Sequence, residues 1–259
     1  MRNSILALFL GTAVLAAPAA QAGPYDALYV FGDSLSDRGN LAETGALQLR
    51  AGLPIRNYPN PPSFHDSFTN GDVAVQVLAR SLGLNADPSL WVTGFRDVNN
   101  LFGGSSYVPG TNYAVAGSTA AAQAQGGAPI INLPQQVGAY LLHSGGAADP
   151  NALYTVFTGG NDVRYATLQG TGPAAVLAGV QAELGSVAAL RAAGARNFLV
   201  VNVPNVGDIP EMRQDNPSLA GTATALSQQY DALLAQGLAG QPFAAGADLS
   251  SFDLFSYNE

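Results

Sequence analysis

Cysteine is absent from the 259 residues, and the ten basic side chains are all arginine, so lysine is absent as well. No disulfide, thiol nucleophile or thiolate metal site is available, and the fold must rest on its apolar core alone. Histidine is scarce: His65 and His143 are the two copies. Charged residues make up 11% of the chain, and the formal net charge is −8. An acidic chain without a basic run offers no electrostatic footprint for nucleic acid or anionic lipid. Nothing in the composition points to a cofactor.

What is present is a 47% hydrophobic chain, long enough for one well-buried domain and by length alone for two. No internal repeat and no linker divides it, so residues 23–259 are expected to be one domain. Residues 1–22 read as a signal peptide: Arg2 is the positive end, Ile5 to Ala17 the apolar core, and Ala20-Gln21-Ala22 the cleavage site. The apolar part is shorter than the roughly 20 residues of a membrane span. Cleavage after Ala22 would start the mature chain at Gly23, and the protein is expected to be exported.

Ala27 to Phe31, Leu153 to Phe157 and Asn197 to Val203 are short apolar runs bounded by Gly or Pro, the pattern of buried strands. Asn112 to Ser118 suits a short strand followed by a close turn, and Phe252 to Phe255 reads as the start of a last strand. Helical spacing of apolar residues predicts helices over 72–82, 133–142, 173–193 and 219–238. The first of these carries a stripe of Val73, Val75, Val77, Leu78 and Leu82. Strands alternating with helices imply parallel pairing and a layered α/β/α domain. The run from Ala120 to Gly127 reads as a flexible or helical connector without chemistry. The loops from Asn40 past Pro62, and from Ser89 to Gly110, are long enough to shape a binding surface. Trp91, Phe95, Phe102 and Tyr107 in the second loop either line a cleft or cover the sheet edge.

Three segments fall at strand ends: Gly32-Asp33-Ser34, the turn at Gly117, and Gly160-Asn161-Asp162. Ligands of open α/β sheets bind outside the carboxyl ends of the strands. Ser36 and Asp37 are residue types that cap a helix start, which would leave Ser34 between a strand end and a helix N-terminus. Ester hydrolysis needs an exposed hydroxyl nucleophile and donors held where the oxyanion's charge develops. The backbone N–H groups of Ser34 and Gly117 and the carboxamide of Asn161 are residues of the right type for this. Asp33 and Asp37 read as a turn brace and a cap rather than as metal ligands. The Gly103-Gly104 region lacks the Lys and Ser/Thr of a phosphate loop, and Ser36 stands where a nucleophile elbow has its second glycine.

These blocks resemble the GDSL lipase/esterase family, the SGNH hydrolases. Phe31 to Asn40 is similar to its first block with Ser34 as nucleophile, Asn112 to Gly117 to its second with Gly117 as oxyanion donor, and Gly159 to Asp162 to its third with Asn161 as side-chain donor. The long separation of Ser34 and Asn161 is similar to the branch holding plant GDSL lipases and bacterial autotransporter esterases. The resemblance implies a flavodoxin-like α/β/α sandwich of about five parallel strands. It also implies an esterase or lipase acting on a small-molecule or lipid ester, which with the signal segment is expected to be secreted or displayed at the cell surface.

The family's last block, an Asp-x-x-His supplying the orienting carboxylate and general base, occurs nowhere in these residues. His65 and His143 are weak candidates for the base; His65 and Asp66 are sequence neighbours, poor geometry for a carboxylate orienting an imidazole. The expectation is therefore a chain that is the N-terminal part of a longer enzyme, with the Asp and His beyond Glu259 and an outer-membrane barrel possible after them. The alternative is an exported, non-catalytic surface or adhesion module that keeps the fold.

Overall fold

The computed structural model describes residues 23–42, 64, 66–92, 110–125, 128–129, 131–242 and 247–257. The signal segment, His65, the Gly103-Gly104 region and the aromatics Phe95, Phe102 and Tyr107 lie outside the described residues.

Four strands form one parallel sheet: β1 (Leu28–Gly32), β4 (Leu153–Phe157), β5 (Asn197–Val201) and β6 (Asp248–Phe252) lie side by side in that order. Their register runs Leu28, Leu153, Asn197 and Asp248 across the sheet. The segment at 111–115 lies along the free edge of β1 through a parallel bridge at Asn112 and does not form the short strand expected over 112–118. There Val30 N–H donates to the Thr111 carbonyl at 3.0 Å, and Tyr113 and Val115 N–H return to the Val30 and Gly32 carbonyls at 2.7 and 3.1 Å. That segment lies on the opposite side of β1 from β4, where a flavodoxin-like sheet has its second strand, so the parallel sheet has four strands where the resemblance implied about five. The strand order reverses between β1 and β4, which is where such sheets open a ligand crevice.

Side-chain alternation splits the apolar residues between two faces. Phe31, Tyr154, Val156, Phe198 and Val200 face the larger core, packed against α2 (Leu133–His143), α4 (Gly172–Ala192) and α5 (Ala220–Ala239). Burying each large apolar side chain there is worth about 1.5–3 kcal/mol. Leu28, Val30 and Leu153 face the other way, against α1 (Ala74–Ser81) through Val75 and Ala79. Helices on both faces make three layers. On the α1 side the cover thins toward β6: Leu199 is only partly buried, and Phe252 is 43% exposed.

The remaining elements are a small antiparallel ribbon, β2 (Ala124–Gln125) with β3 (Ala128–Pro129), α3 (Gly160–Leu168), and a short α6 (Leu254–Tyr257). Three further expectations change. Residues 254–255 do not begin the last strand; β6 ends at Phe252, because Asp253 accepts the Ser256 N–H at 3.1 Å and caps a helical turn. The Asn202 Oδ1 holds that turn by accepting from Leu254 and Phe255 N–H. The 120–127 run holds a ribbon strand rather than a helical or structureless connector. Val77 leaves the apolar stripe of α1 and is 53% exposed, since two residues of helix turn it about 200° from Val75.

Candidate active site

The site is assembled where β1 and β4 end. After Gly32 the chain enters a helical turn: Ser36 and Asp37 N–H donate to the Asp33 carbonyl at 3.1 and 2.9 Å, and Leu35 N–H donates to the Asp33 Oδ1 at 3.0 Å. Ser34 is left on the crest of that turn, half-buried, beside a Leu35 that is 45% exposed. Among the described residues its N–H and hydroxyl have no hydrogen-bond partner.

Asp37, wholly buried, is the next fixed point. Its Oδ1 accepts the N–H groups of Gly39 and Asn40, both at 2.8 Å, as the expected cap. Its Oδ2 accepts Leu41 N–H at 3.1 Å and reaches across 79 residues to Ala116 N–H at 2.8 Å. Asn40 makes a second tie by donating from Nδ2 to the Asn112 and Ala114 carbonyls at 2.9 and 2.7 Å. Asn112 answers with its own Nδ2 on the Ser36 carbonyl at 2.7 Å. The first two sequence blocks are thereby joined through buried polar side chains, which is why they carry Asp and Asn at interior positions.

Gly117 follows Ala116 with φ +80°, a left-handed conformation that favours glycine. It is exposed, and its N–H has no partner among the described residues. Ser118 then anchors the loop, donating its hydroxyl to the Gly32 carbonyl at 2.7 Å. Buried Gln136 on α2 completes this corner: it accepts Gly32 N–H, donates to the Gly32 carbonyl, and donates to Ser118 Oγ, at 2.8, 2.8 and 3.0 Å.

The third block arrives from β4. Gly159 caps α3 at φ +98°, and a Cβ there would stand 2.5 Å from the Tyr230 ring carbon Cζ, so glycine is required twice over. Asn161, half-buried in the first turn of α3, donates from Nδ2 to the Ser118 carbonyl at 2.8 Å. One carboxamide hydrogen remains available on that nitrogen. Asp162, fully buried, accepts the N–H groups of Ala120 and Ala121 at 2.7 and 3.0 Å. A Cβ on Gly160 would lie 3.9 Å from the Asp33 Oδ2, which puts the start of α3 against the turn bearing Ser34. The three sequence-predicted residues thus share one corner of the fold. Ser34 sits two residues from Gly32, Gly117 is bracketed by Ala116 and Ser118, and Asn161 is bonded to Ser118.

The floor of this corner is a buried set of acids. Burial pushes the Asp33 carboxyl up to about 7, with the Leu35 N–H opposing and the nearby Asp162 adding to the rise. Burial raises Asp162 to about 6 against the pull of its backbone donors, and it raises Asp37 as well. Glu183 on α4 is pushed to about 8, again chiefly by burial, while accepting the Tyr230 hydroxyl at 2.7 Å.

His143 does not join them. It ends α2 and shares a 2.9 Å hydrogen bond through Nδ1 with the Tyr113 hydroxyl. Seven residues separate it from Gln136, a rise of about 10 Å away from the corner. Trp91 covers the sheet edge, donating its indole N–H to the Tyr113 carbonyl at 2.9 Å. Asp162, Ser118 and Gln136 were not picked out from the sequence. Asp162 had a usable signal, an Asp directly after Asn161 at a strand end, whereas Gln136 is one glutamine on an amphipathic helix.

The GDSL-like Lipase/Acylhydrolase family matches residues 28–258. The chain is similar to "Lipase 1" of Photorhabdus luminescens, 30% identical over 191 residues, or 73% of this chain and 24% of that protein. It is also similar to "Acetylajmalan esterase 2" of Rauvolfia serpentina, 33% identical over 102 residues, or 38% of this chain and 25% of that protein. It thus spans about a quarter of the length of these curated relatives. Among solved structures, TesA is 17% identical with a TM-score of 0.34, covering 86% of this chain and 88% of that one. With the family's match running through all four strands of the sheet, the chain belongs to the GDSL-like lipase/acylhydrolase family.

Proposed function

We propose that this protein is a serine hydrolase of carboxylic esters, with Ser34 as nucleophile and the N–H groups of Ser34, Gly117 and Asn161 as oxyanion donors. The Ser34 Oγ would attack the ester carbonyl, the alcohol would leave with a proton, and water would release the acid from the acyl-enzyme. One observation carries the reading. The Asn161 carboxamide is bonded to the carbonyl of Ser118, whose hydroxyl is bonded to Gly32, so donors from distant blocks flank the turn bearing Ser34. Ser34 follows a strand end and Asn161 opens a helix, while Gly117 lies on a loop tied down by Ser118 and Asn161, so the donors are held in place as electrostatic catalysis requires.

His143 lies away from this corner and His65 lies outside the described residues; the reading takes the general base and its orienting carboxylate from an Asp-x-x-His block of the kind the family resemblance implies. The reading also takes the protein to be exported, with N-terminal sequencing of the mature form expected to start at Gly23. Cell fractionation would then separate free secretion from retention by a membrane barrel.

The full-length protein should hydrolyse p-nitrophenyl acyl esters, and Ser34→Ala should reduce turnover by about 10³-fold or more. Unchanged hydrolysis in that variant would refute the assignment. A full-length protein without esterase activity would favour the non-catalytic surface module instead.

A further inference from the structure

We propose that Asp162 is a positioning residue for this reaction, its carboxylate fixing the loop that presents the Gly117 N–H to the oxyanion. The inference rests on the reading of Gly117 as a donor and adds a residue that touches neither substrate nor nucleophile.

The loop from Ala116 to Ala121 is held at separate points. Ala116 N–H is taken by Asp37 at 2.8 Å on the near side of Gly117. Ser118 is held through its hydroxyl by Gly32 and through its carbonyl by Asn161. On the far side both oxygens of Asp162 are used, Oδ2 on Ala120 N–H at 2.7 Å and Oδ1 on Ala121 N–H at 3.0 Å. Ala120 is wholly buried, so its N–H has no access to water as a replacement partner. Removing the carboxylate obliges the loop to move until that donor finds an acceptor. Gly117, unconstrained by a side chain and held in the left-handed region, is the residue between the two anchors that can absorb the change.

The same helix supplies the other contact. Asn161 and Asp162 are adjacent on the first turn of α3, so one donates to Ser118 while the next accepts from Ala120 and Ala121. The pair grips the loop by a carbonyl and by two N–H groups, which fixes both its height and its rotation.

Asp162 is itself seated from behind. Gly179 on α4 leaves space for it: a Cβ there would come within 3.1 Å of the Asp162 Oδ1 and 3.0 Å of the Tyr230 ring. The groups facing Asp162 from the neighbouring elements are Asp33 after β1, Glu183 on α4 and Tyr230 on α5, and the Gln123 side chain hydrogen-bonds to its carboxylate. Asn in place of Asp keeps the shape but turns an NH₂ toward one of the two backbone donors, so at most one of the two bonds survives.

The test uses full-length protein, p-nitrophenyl butyrate and butylboronic acid, whose tetrahedral adduct on a serine places an oxygen among the oxyanion donors. Asp162→Asn should lower kcat about 10–100-fold with KM within about twofold, and weaken boronate inhibition in proportion. Gly179→Ala, which presses on the carboxylate without changing its chemistry, should show the same signature more weakly, and it carries the test if the Asn variant does not fold. A folded Asp162→Asn enzyme with wild-type kcat overturns the inference, as does a loss of kcat with boronate affinity unchanged. Ser34→Ala serves as the parallel control: activity surviving in it overturns the underlying hydrolase reading, whereas its loss beside an unaffected Asp162→Asn overturns the positioning role alone.

Discussion

Glu183 offers the most quantitative perturbation. It is wholly buried on α4, receives the Tyr230 hydroxyl on Oε2, and has no partner for Oε1 among the described residues. Its folded-state value is pushed to about 8 from an ordinary 4.5, first by burial and then by the neighbouring Asp162, with the Tyr230 hydrogen bond opposing. Between pH 4.5 and 8 the folded protein keeps this proton while the unfolded chain has released it. The folded state binds more protons in that window, so stability falls as the pH rises. The slope for one group is about 1.4 kcal/mol per pH unit, so from pH 5 to 7 Glu183 alone removes on the order of 2–3 kcal/mol. Glu183→Gln keeps the shape and leaves Oε1 to accept the Tyr230 hydroxyl, but has no proton to lose. Urea denaturation at pH 5, 6 and 7, analysed by linear extrapolation, measures this directly. The variant should match the wild type at pH 5 within about 1 kcal/mol and exceed it by on the order of 3 kcal/mol at pH 7. Asp33, pushed up to about 7, acts in the same direction, so some pH dependence should remain in the variant. Parallel pH profiles for the two proteins would refute the reasoning.

Other changes have sharp expectations. Asn161→Ala should lower kcat by about 10²–10³ in full-length protein with little change in KM, as measured with p-nitrophenyl esters. Gly159→Ala puts a methyl 2.5 Å from the Tyr230 ring in a left-handed conformation, and should cost about 2–4 kcal/mol in denaturation. Asp37→Ala strips the acceptor from four backbone N–H groups, of which that of Ala116 belongs to another block. It should lower stability by roughly 3 kcal/mol or more and speed amide exchange at Ala116.

Three strands of the sheet, β1, β4 and β5, were legible because they are mostly apolar and bounded by breakers, and the helices 173–193 and 219–238 because their apolar spacing is long and regular. The final strand was misplaced by several residues. β6 is an edge strand with the sequence Asp248-Leu-Ser-Ser-Phe252, too polar to announce itself, whereas Leu254-Phe255 is apolar and turns into a helix. The candidate corner was legible as three motifs at strand ends, since Gly-Asp-Ser and Gly-Asn-Asp mark tight turns locally, while the roles given to them remain proposals. Its supports were not. Gln136 on Gly32 and Asp162 on Ala120 are contacts spanning 104 and 42 residues, and no local pattern marks a side chain that will satisfy a distant backbone group. The alanine-rich 120–127 run looked inert for the same reason: its contribution to the site is made by its N–H groups, which every residue but proline possesses.

The central claim is that the hydroxyl at position 34 is the reacting group of an ester-hydrolysing corner built with Gly117 and Asn161. Treating the full-length protein with diethyl p-nitrophenyl phosphate, counting the p-nitrophenol released and mapping the modified peptide by mass spectrometry tests it most directly. The account predicts one diethylphosphoryl group per chain, on Ser34, with esterase activity lost in step. An adduct on another residue, or hydrolysis that persists once Ser34 is fully modified, would contradict it.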